Sequence, residues 1–343
     1  MSDLGAEIRL TEWTNCGGCA AKWGAELLAG LVAELAEADG PSPALLAGLS
    51  PSDDAAVVML SDDLALVSTT DFFPPLVDDP YDFGAIAAAN ACSDIFAMGA
   101  KVLLALNIAA FPESLPGPAI AGILAGARDT VTAAGGQVAG GHTIRSEEPI
   151  FGLAVQGTID PRAVWRKGGA RPGDHLVLSK PLGTGLVLAG GDSAEKAAAT
   201  DSMKATNRIA ADVLGCLDRR PSAVTDVTGF GLAGHAWEIA DRSQAALHFD
   251  GSALPVLPGA RRAAATGVRT GGDPRNRQHL EGRVQVIDRN GHRDELEALI
   301  FDPQTSGGLL AAVDPAALPE LQDQGFFEVV GEVRPGPAAV VVE

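Results

Sequence analysis

The chain is poor in the residues that mark several large protein classes. It has four cysteines, Cys16, Cys19, Cys92 and Cys216, in 343 residues, too few to read as a disulfide framework. A reducing cytoplasm is the expected home. Positive charge is scarce: 25 Lys+Arg stand against 44 Asp+Glu, a formal charge of −19. Such a surface repels a phosphate backbone, so no nucleic acid is expected as a partner. Small phosphorylated ligands remain open to it if a divalent ion sits between carboxylate and phosphate. No apolar run approaches the roughly 20 residues that cross a bilayer. The opening MSDLGAEIRLTEW is acidic and interrupted, unlike a signal or transit peptide, so neither a membrane nor secretion is expected. None of the six lysines (22, 101, 167, 180, 196 and 204) is followed by Ser or Thr, which excludes a P-loop.

What is present reads as a folded protein of two domains. Apolar residues make up 46% and charged residues 20%, and the length stands against roughly 100–200 residues per domain. After Cys19 an amphipathic helix is expected, with Leu27, Leu28, Leu31, Val32 and Leu35 on one stripe. A Gly/Pro/Ser-rich connector follows, from Gly40 to Ser52. Strands are expected over 64–71, 102–111 and 151–159, and helices over 83–99 and 118–134. The stretch DPRAVWRKGGARPGD holds most of the local positive charge and marks a boundary. The division is then an arm and helix over 1–47, a domain over 48–162 and a second over 172–343. In the second, HLVLSK, AALHFD, RVQVI, GGLLAAV and FEVVGEV read as strands, with a helix near 208–217. The rhythm is not a clean βαβ alternation, so the expected class is mixed α+β rather than a doubly wound sheet.

Four features carry chemistry. Asp53-Asp54, Asp71, Asp94 and Asp226 lie in apolar or small-residue surroundings, where charge is seldom buried unless paired or metal-bound. Each alone reads as a cap of a turn or helix. Together, hard oxygen donors of this kind suit Mg²⁺. Asn90 and Asp94, four apart, share one helix face. Cys16-Gly-Gly-Cys19 lacks a second CxxC for zinc and a preceding strand for a thioredoxin-like motif. Cys19 does have Lys22 one turn on and a helix start beside it, both of which favour a thiolate. Cys92 and Cys216, within apolar helices, read as inert. GGHTI over 140–144 reads either as a glycine-backed anion site or as an ordinary turn. Gly229, Gly231 and Gly234 make a GxGxxG, but the polar Asp226 and Thr228 before it are poorly suited to a buried parallel strand.

At NCGGCAAKWG, DDAAVV, STTDFFPPLVDDPYDFG, AANACSDIFAMGAK, AGGHTIRSEEPIFGLAVQG, TDVTGFGLAGH and DPQTSGGLL the sequence resembles the selenophosphate synthetase (selenide, water dikinase) family. That family lies within the aminoimidazole ribonucleotide synthetase-like superfamily. The resemblance implies a two-domain α+β subunit whose N-terminal domains pair through their sheets in a homodimer. It implies ATP-dependent phosphorylation of selenide, with water, to selenophosphate, phosphate and AMP, the product serving as selenium donor for selenocysteine and selenium-modified tRNA. Residue by residue it makes Cys19 and Lys22 catalytic, with Lys22 also touching ATP. Asp54, Asp94 and Asp226 would hold Mg²⁺. Pro51, Ser52, Asp53, Asp71 and Asp94 would line the ATP site, and Gly140, Gly141 and His142 would reach the partner subunit's nucleotide. Pro51-Ser52 departs from the family pattern, in which a polar or basic residue often precedes the aspartates. A monovalent cation and a selenium-delivery protein are further implied possibilities. Two other readings stay open: a non-catalytic selenium or metal carrier using the CxxC, and a nicotinamide oxidoreductase built on GFGLAG. A carbamoyl dehydratase would need a C-terminal cysteine where this sequence reads PAAVVVE.

Overall fold

The computed structural model describes residues 8–14, 17–18, 32, 35, 42–50, 52–287 and 291–343. Cys16, Cys19, Lys22 and Pro51 lie outside them. So does the expected amphipathic helix, apart from Val32 and Leu35, which are helical.

The first half builds a six-stranded sheet from β1 (Leu45–Ala47), β2 (Ala56–Ser61), β3 (Leu64–Phe73), β4 (Lys101–Phe111), β5 (Gln137–Arg145) and β6 (Ile150–Ile159), in the order β1-β2-β3-β6-β4-β5. Only β4–β5 is parallel; the other pairs are antiparallel. Two helices, α1 (Pro80–Ala97) and α2 (Gly117–Ala133), cover one face. Helix α1 begins where Asp79 accepts a hydrogen bond from the Asp82 N–H at 2.9 Å and Pro80 sets the first turn. Fourteen of its eighteen residues are buried, as expected of a helix apolar on every side. It can lie this close to α2 because Gly84 and Gly126 face the neighbouring backbone. A Cβ on Gly84 would fall 1.9 Å from the Ile123 carbonyl oxygen, and one on Gly126 2.0 Å from that of Tyr81.

The second half builds a seven-stranded sheet from β7 (His175–Leu178), β8 (Ala223–Asp226), β9 (Ala246–Phe249), β10 (Val284–Val286), β11 (Leu309–Val313), β12 (Glu328–Arg334) and β13 (Ala339–Val342), in the order β10-β13-β9-β12-β7-β11-β8. Its helices are α3 (Thr184–Gly190), α4 (Ser193–Lys204), α5 (Arg208–Cys216), α6 (Gly231–Ser243), α7 (Ala260–Ala265), α8 (Asp273–His279), α9 (Arg293–Phe301) and α10 (Leu318–Gln324). One core cluster joins the halves: Val177, Val224, Leu309, Ala311 and Val313 pack with Ala88, Ala91, Ile95 and Phe96 of α1. Helix α1 is thus sandwiched between the two sheets.

Two sequence readings need correction. GGHTI is not a turn; it lies within strand β5, at the edge of the first sheet. The segment before the GxGxxG is a strand after all: all four residues of β8 are buried. It pairs antiparallel to β11 at the edge of its sheet, so no parallel βαβ unit for a dinucleotide forms there. Thr225 and Asp226 tolerate burial because they face other polar groups.

Candidate functional site

Loops and elements from both halves meet at one seam. The turn before β2 brings Ser52, Asp53 and Asp54. Strand β3 brings Thr69 and Asp71, two residues apart and therefore on one face. Helix α1 presents Asn90 and Asp94 to that face: the Asn90 Nδ2 donates to Asp71 Oδ2 at 2.5 Å, and the Thr69 hydroxyl donates to Asp94 Oδ2 at 2.5 Å. Strand β8 adds Thr225 and Asp226 from the second sheet. One carboxylate oxygen each of Asp54, Asp94 and Asp226 lies within 4.8 Å of the others.

Three carboxylates this close repel one another and need positive charge. One source is Lys167, whose Nζ lies 2.9 Å from Asp54 Oδ1 and 2.9 Å from Glu238 Oε2 of α6. Burial alone would push this ammonium down, but the two carboxylates outweigh it and hold Lys167 protonated, well above the usual lysine range. Thr225 donates to Asp54 Oδ1 at 3.0 Å. Glu238 also meets His235 Nδ1 at 3.1 Å, and His235 Nε2 meets the Thr228 hydroxyl at 3.2 Å. Even so, burial pushes the Asp54 carboxyl up to about 8 against the pull of Lys167, with Asp226, Asp53 and Glu238 adding to the rise. Asp54 Oδ2 and Asp226 Oδ2 are buried with no hydrogen-bond partner among the described residues, a costly arrangement for charged oxygens. This set of hard oxygen donors fits a small divalent cation.

The remaining candidates fall in different places. Ser52 accepts from Arg242 at 3.1 Å, and Asp53 stands 4.0 Å from the same guanidinium. Burial raises the Asp53 carboxyl, with Lys167 and Arg242 opposing. Gly140, Gly141 and His142 are exposed on β5, away from the carboxylate cluster. Cys92 is buried, its thiol pushed up to about 12 by burial with Asp94 adding, which suits an inert residue. Cys216 is exposed rather than buried in an apolar helix. Gly17 and Gly18 lie against Pro74–Leu76 at the end of β3. Gly18 N donates to Pro74 O at 2.9 Å, a Cβ on Gly17 would fall 2.1 Å from Pro75 O, and one on Gly18 2.8 Å from Thr305 Oγ1. Sequence reasoning missed Lys167, Glu238, His235, Thr225 and Thr69. For Lys167 the signal was the local positive charge of the interdomain stretch, and Thr69, Thr225 and His235 lie within the STTDFF and TDVTGFGLAGH stretches.

Comparison with known proteins places these elements in a family. The family model for AIR synthase related protein, N-terminal domain, matches residues 52–159, and that for the C-terminal domain matches 171–343. Selenide, water dikinase of Caldanaerobacter subterraneus subsp. tengcongensis is 44% identical over 320 residues, covering 92% of this chain and 91% of its own. The protein of the same name from Myxococcus xanthus is 42% identical over 345 residues, covering 97% of each. Among solved structures, AaThiL complexed with AMPPCP and TMP has a TM-score of 0.69 at 20% identity, covering 93% of each chain. Hydrogenase maturation protein HypE in complex with ATP has a TM-score of 0.61 at 22% identity, covering 88% of this chain and 87% of its own. At that identity the two structures speak for the fold alone.

Proposed function

This chain belongs to the selenide, water dikinase family, and from that premise we propose how its own residues divide the work. The activity is ATP-dependent phosphorylation of selenide, in which ATP, selenide and water give selenophosphate, phosphate and AMP. The observation that carries the assignment of the site is the convergence of Asp54, Asp94 and Asp226 from a turn, a helix and the opposite sheet.

Those three carboxylates would hold Mg²⁺, and the two unpartnered buried oxygens support that reading. Bound there, Mg²⁺ supplies charge neutralisation and Lewis acidity for the triphosphate oxygens. Lys167 draws the Asp54 carboxyl toward its ionised form against the effect of burial, and Glu238 and His235 in turn hold Lys167 in place. Asp71, Asp53, Ser52 and Pro51 line the nucleotide. Cys19 is the reactive thiolate and Lys22 a mobile positive charge toward ATP; the seating of Gly17-Gly18 beside the end of β3 supports an arm that folds over the phosphates and excludes water. Gly140, Gly141 and His142 act on the nucleotide of a second copy in a homodimer. We place the working enzyme in the cytoplasm, with domain limits at 48–162 and 172–343. No described helix is long and apolar enough to cross a membrane. A monovalent cation and a selenium-delivery protein belong to the same proposal.

The test is phosphorus NMR of an anaerobic incubation with ATP, Mg²⁺ and selenide. A new phosphorus–selenium resonance together with AMP is expected. Cys19→Ser should abolish both while Cys16→Ser keeps a substantial fraction. ADP as the product, without selenophosphate, would sink the reaction; an active Cys19→Ser would sink the thiolate assignment.

A further inference from the structure

The turn between α9 and β11, Asp302 to Gly308, does more than join two elements. Ser306 is 1% exposed and has φ +50°, a left-handed conformation that residues with a side chain rarely adopt. Its hydroxyl has no hydrogen-bond partner among the described residues, so the side chain does not compensate the strain. The backbone bonds do. Lys180 Nζ donates to Ser306 O at 2.7 Å and to Ala205 O at 2.5 Å, and Ser306 N donates to Asn90 Oδ1 at 2.9 Å.

That last bond decides which way the Asn90 amide faces. With its oxygen committed to the Ser306 N–H, Asn90 must turn Nδ2 toward Asp71, where it donates at 2.5 Å. A second clasp lies alongside: Asn207 Nδ2 donates to Gly307 O at 2.8 Å and to Ser93 Oγ at 2.9 Å, one residue from Asp94. Lys180 has no carboxylate within 4.0 Å among the described residues, and burial lowers its pKa to about 7, with Asp226 opposing. A buried ammonium without a counter-ion is a poor way to stabilise a fold. Strain and a lone buried charge kept together are more typical of functional geometry.

We propose that Lys180 and Ser306 are positioning residues for the nucleotide site, fixing the Asp71 carboxylate through the Asn90 amide across the two domains. This rests on the reading that Asp71 lines the ATP site. The relay is a chain of three hydrogen bonds, Lys180 to Ser306, Ser306 to Asn90 and Asn90 to Asp71, and its effect is on substrate placement rather than on chemistry.

The test compares ATP KM, kcat, Mg²⁺ half-saturation and melting temperature in Lys180→Met, Asp71→Asn and the double variant. Lys180→Met should raise the ATP KM by about tenfold, the size expected for losing order in one hydrogen bond to a charged group. Its melting temperature should fall only modestly, since an apolar chain of similar length replaces a buried charge while two buried carbonyls lose a donor. Asp71→Asn should raise the ATP KM comparably, and the double variant should be no worse than Asp71→Asn alone. Should Lys180→Met fail to fold, Asn90→Ala cuts the same relay in the middle and should show the same non-additivity. Multiplying effects in the double variant overturn the proposal, as does an unchanged ATP KM in Lys180→Met. A shifted Mg²⁺ half-saturation also overturns it, by moving the action of Lys180 to Asp226. If Asp71→Asn itself leaves the ATP KM unchanged, the nucleotide reading of Asp71 falls and the relay with it. If only Lys180→Met and Asn90→Ala are silent, the relay alone falls.

Discussion

Asp226 and Asp302 are both buried acids of the second domain, and their surroundings give them opposite uses. Asp226 has an oxygen without a partner among the described residues and two carboxylates beside it. Asp226→Asn removes one like charge from that cluster, so the melting temperature should hold or rise. Selenide-dependent AMP formation should fall by on the order of 100-fold, the usual cost of losing one charge-stabilising group. Initial rates across a Mg²⁺ series, run beside a thermal melt, check both halves; a lost fold with intact specific activity would make Asp226 structural.

Asp302, by contrast, is fully engaged. Its Oδ2 accepts from Leu186 N and Gln304 Nε2, both at 3.1 Å, and its Oδ1 from the Thr270 hydroxyl at 3.2 Å. Burial still outweighs those bonds and raises its pKa from 3.8 to about 7. Between those values the folded protein keeps a proton that the unfolded chain releases, so this group makes stability fall as pH rises through that window. Asp302→Asn can satisfy the same partners, with its oxygen toward Leu186 and its NH₂ toward Thr270 Oγ1. It should flatten the pH dependence, read as denaturant midpoints at about pH 5 and about pH 8. An unchanged slope between the two would show that Asp302 does not carry it.

Helix α1 is the element on which the site depends, since it holds Asn90, Ser93 and Asp94 at fixed heights between two sheets. Its position is set by backbone approach to α2 at Gly84 and Gly126. Gly84→Ala adds helix propensity worth about 1 kcal/mol, yet its methyl would meet a carbonyl oxygen at 1.9 Å. We expect the clash to win, with a net destabilisation of about 1–3 kcal/mol and a raised ATP KM as α1 shifts. Denaturant titration checks the first and steady-state kinetics the second. A neutral Gly84→Ala would mean the helices separate without cost.

For the whole molecule the uncovered parts of the first sheet bear on assembly. Among the described residues, helices α1 and α2 cover the first sheet on one face only. On the other, Phe72 is 50% exposed and Leu106 39%, and β5 leaves one edge without a partner strand among the described residues, with Ile144 56% exposed. Apolar side chains on an uncovered sheet face mark an interaction surface, and a symmetric pair through that sheet would also carry His142 toward a second site. Light scattering should give a mass near twice 35.0 kDa. Phe72→Glu should shift it toward the monomer and lower activity, whereas a fully active monomer of the parent protein would end the dimer reading.

By itself the sequence determined the mixed α+β class, most of the long strands and both helices of the first half, because their apolar periods are local properties. It also singled out Asp53-Asp54, Asp71, Asp94 and Asp226, since carboxylates among small and apolar residues stand out before any contact is known, and the family resemblance drew Asp54, Asp94 and Asp226 from that set. What it left undecided depended on partners far away in the chain. Lys167 read as part of a basic boundary, and only packing buries it between Asp54 and Glu238. GGHTI read as a turn or anion loop because glycines dominate it, and pairing with β4 makes it an edge strand. Polar Asp226 and Thr228 read against a buried strand, and pairing with β11 together with Asp54 facing Thr225 makes one over 223–226. Local pattern decides which segments form elements; long-range hydrogen bonds and the exclusion of water decide which charges must find one another.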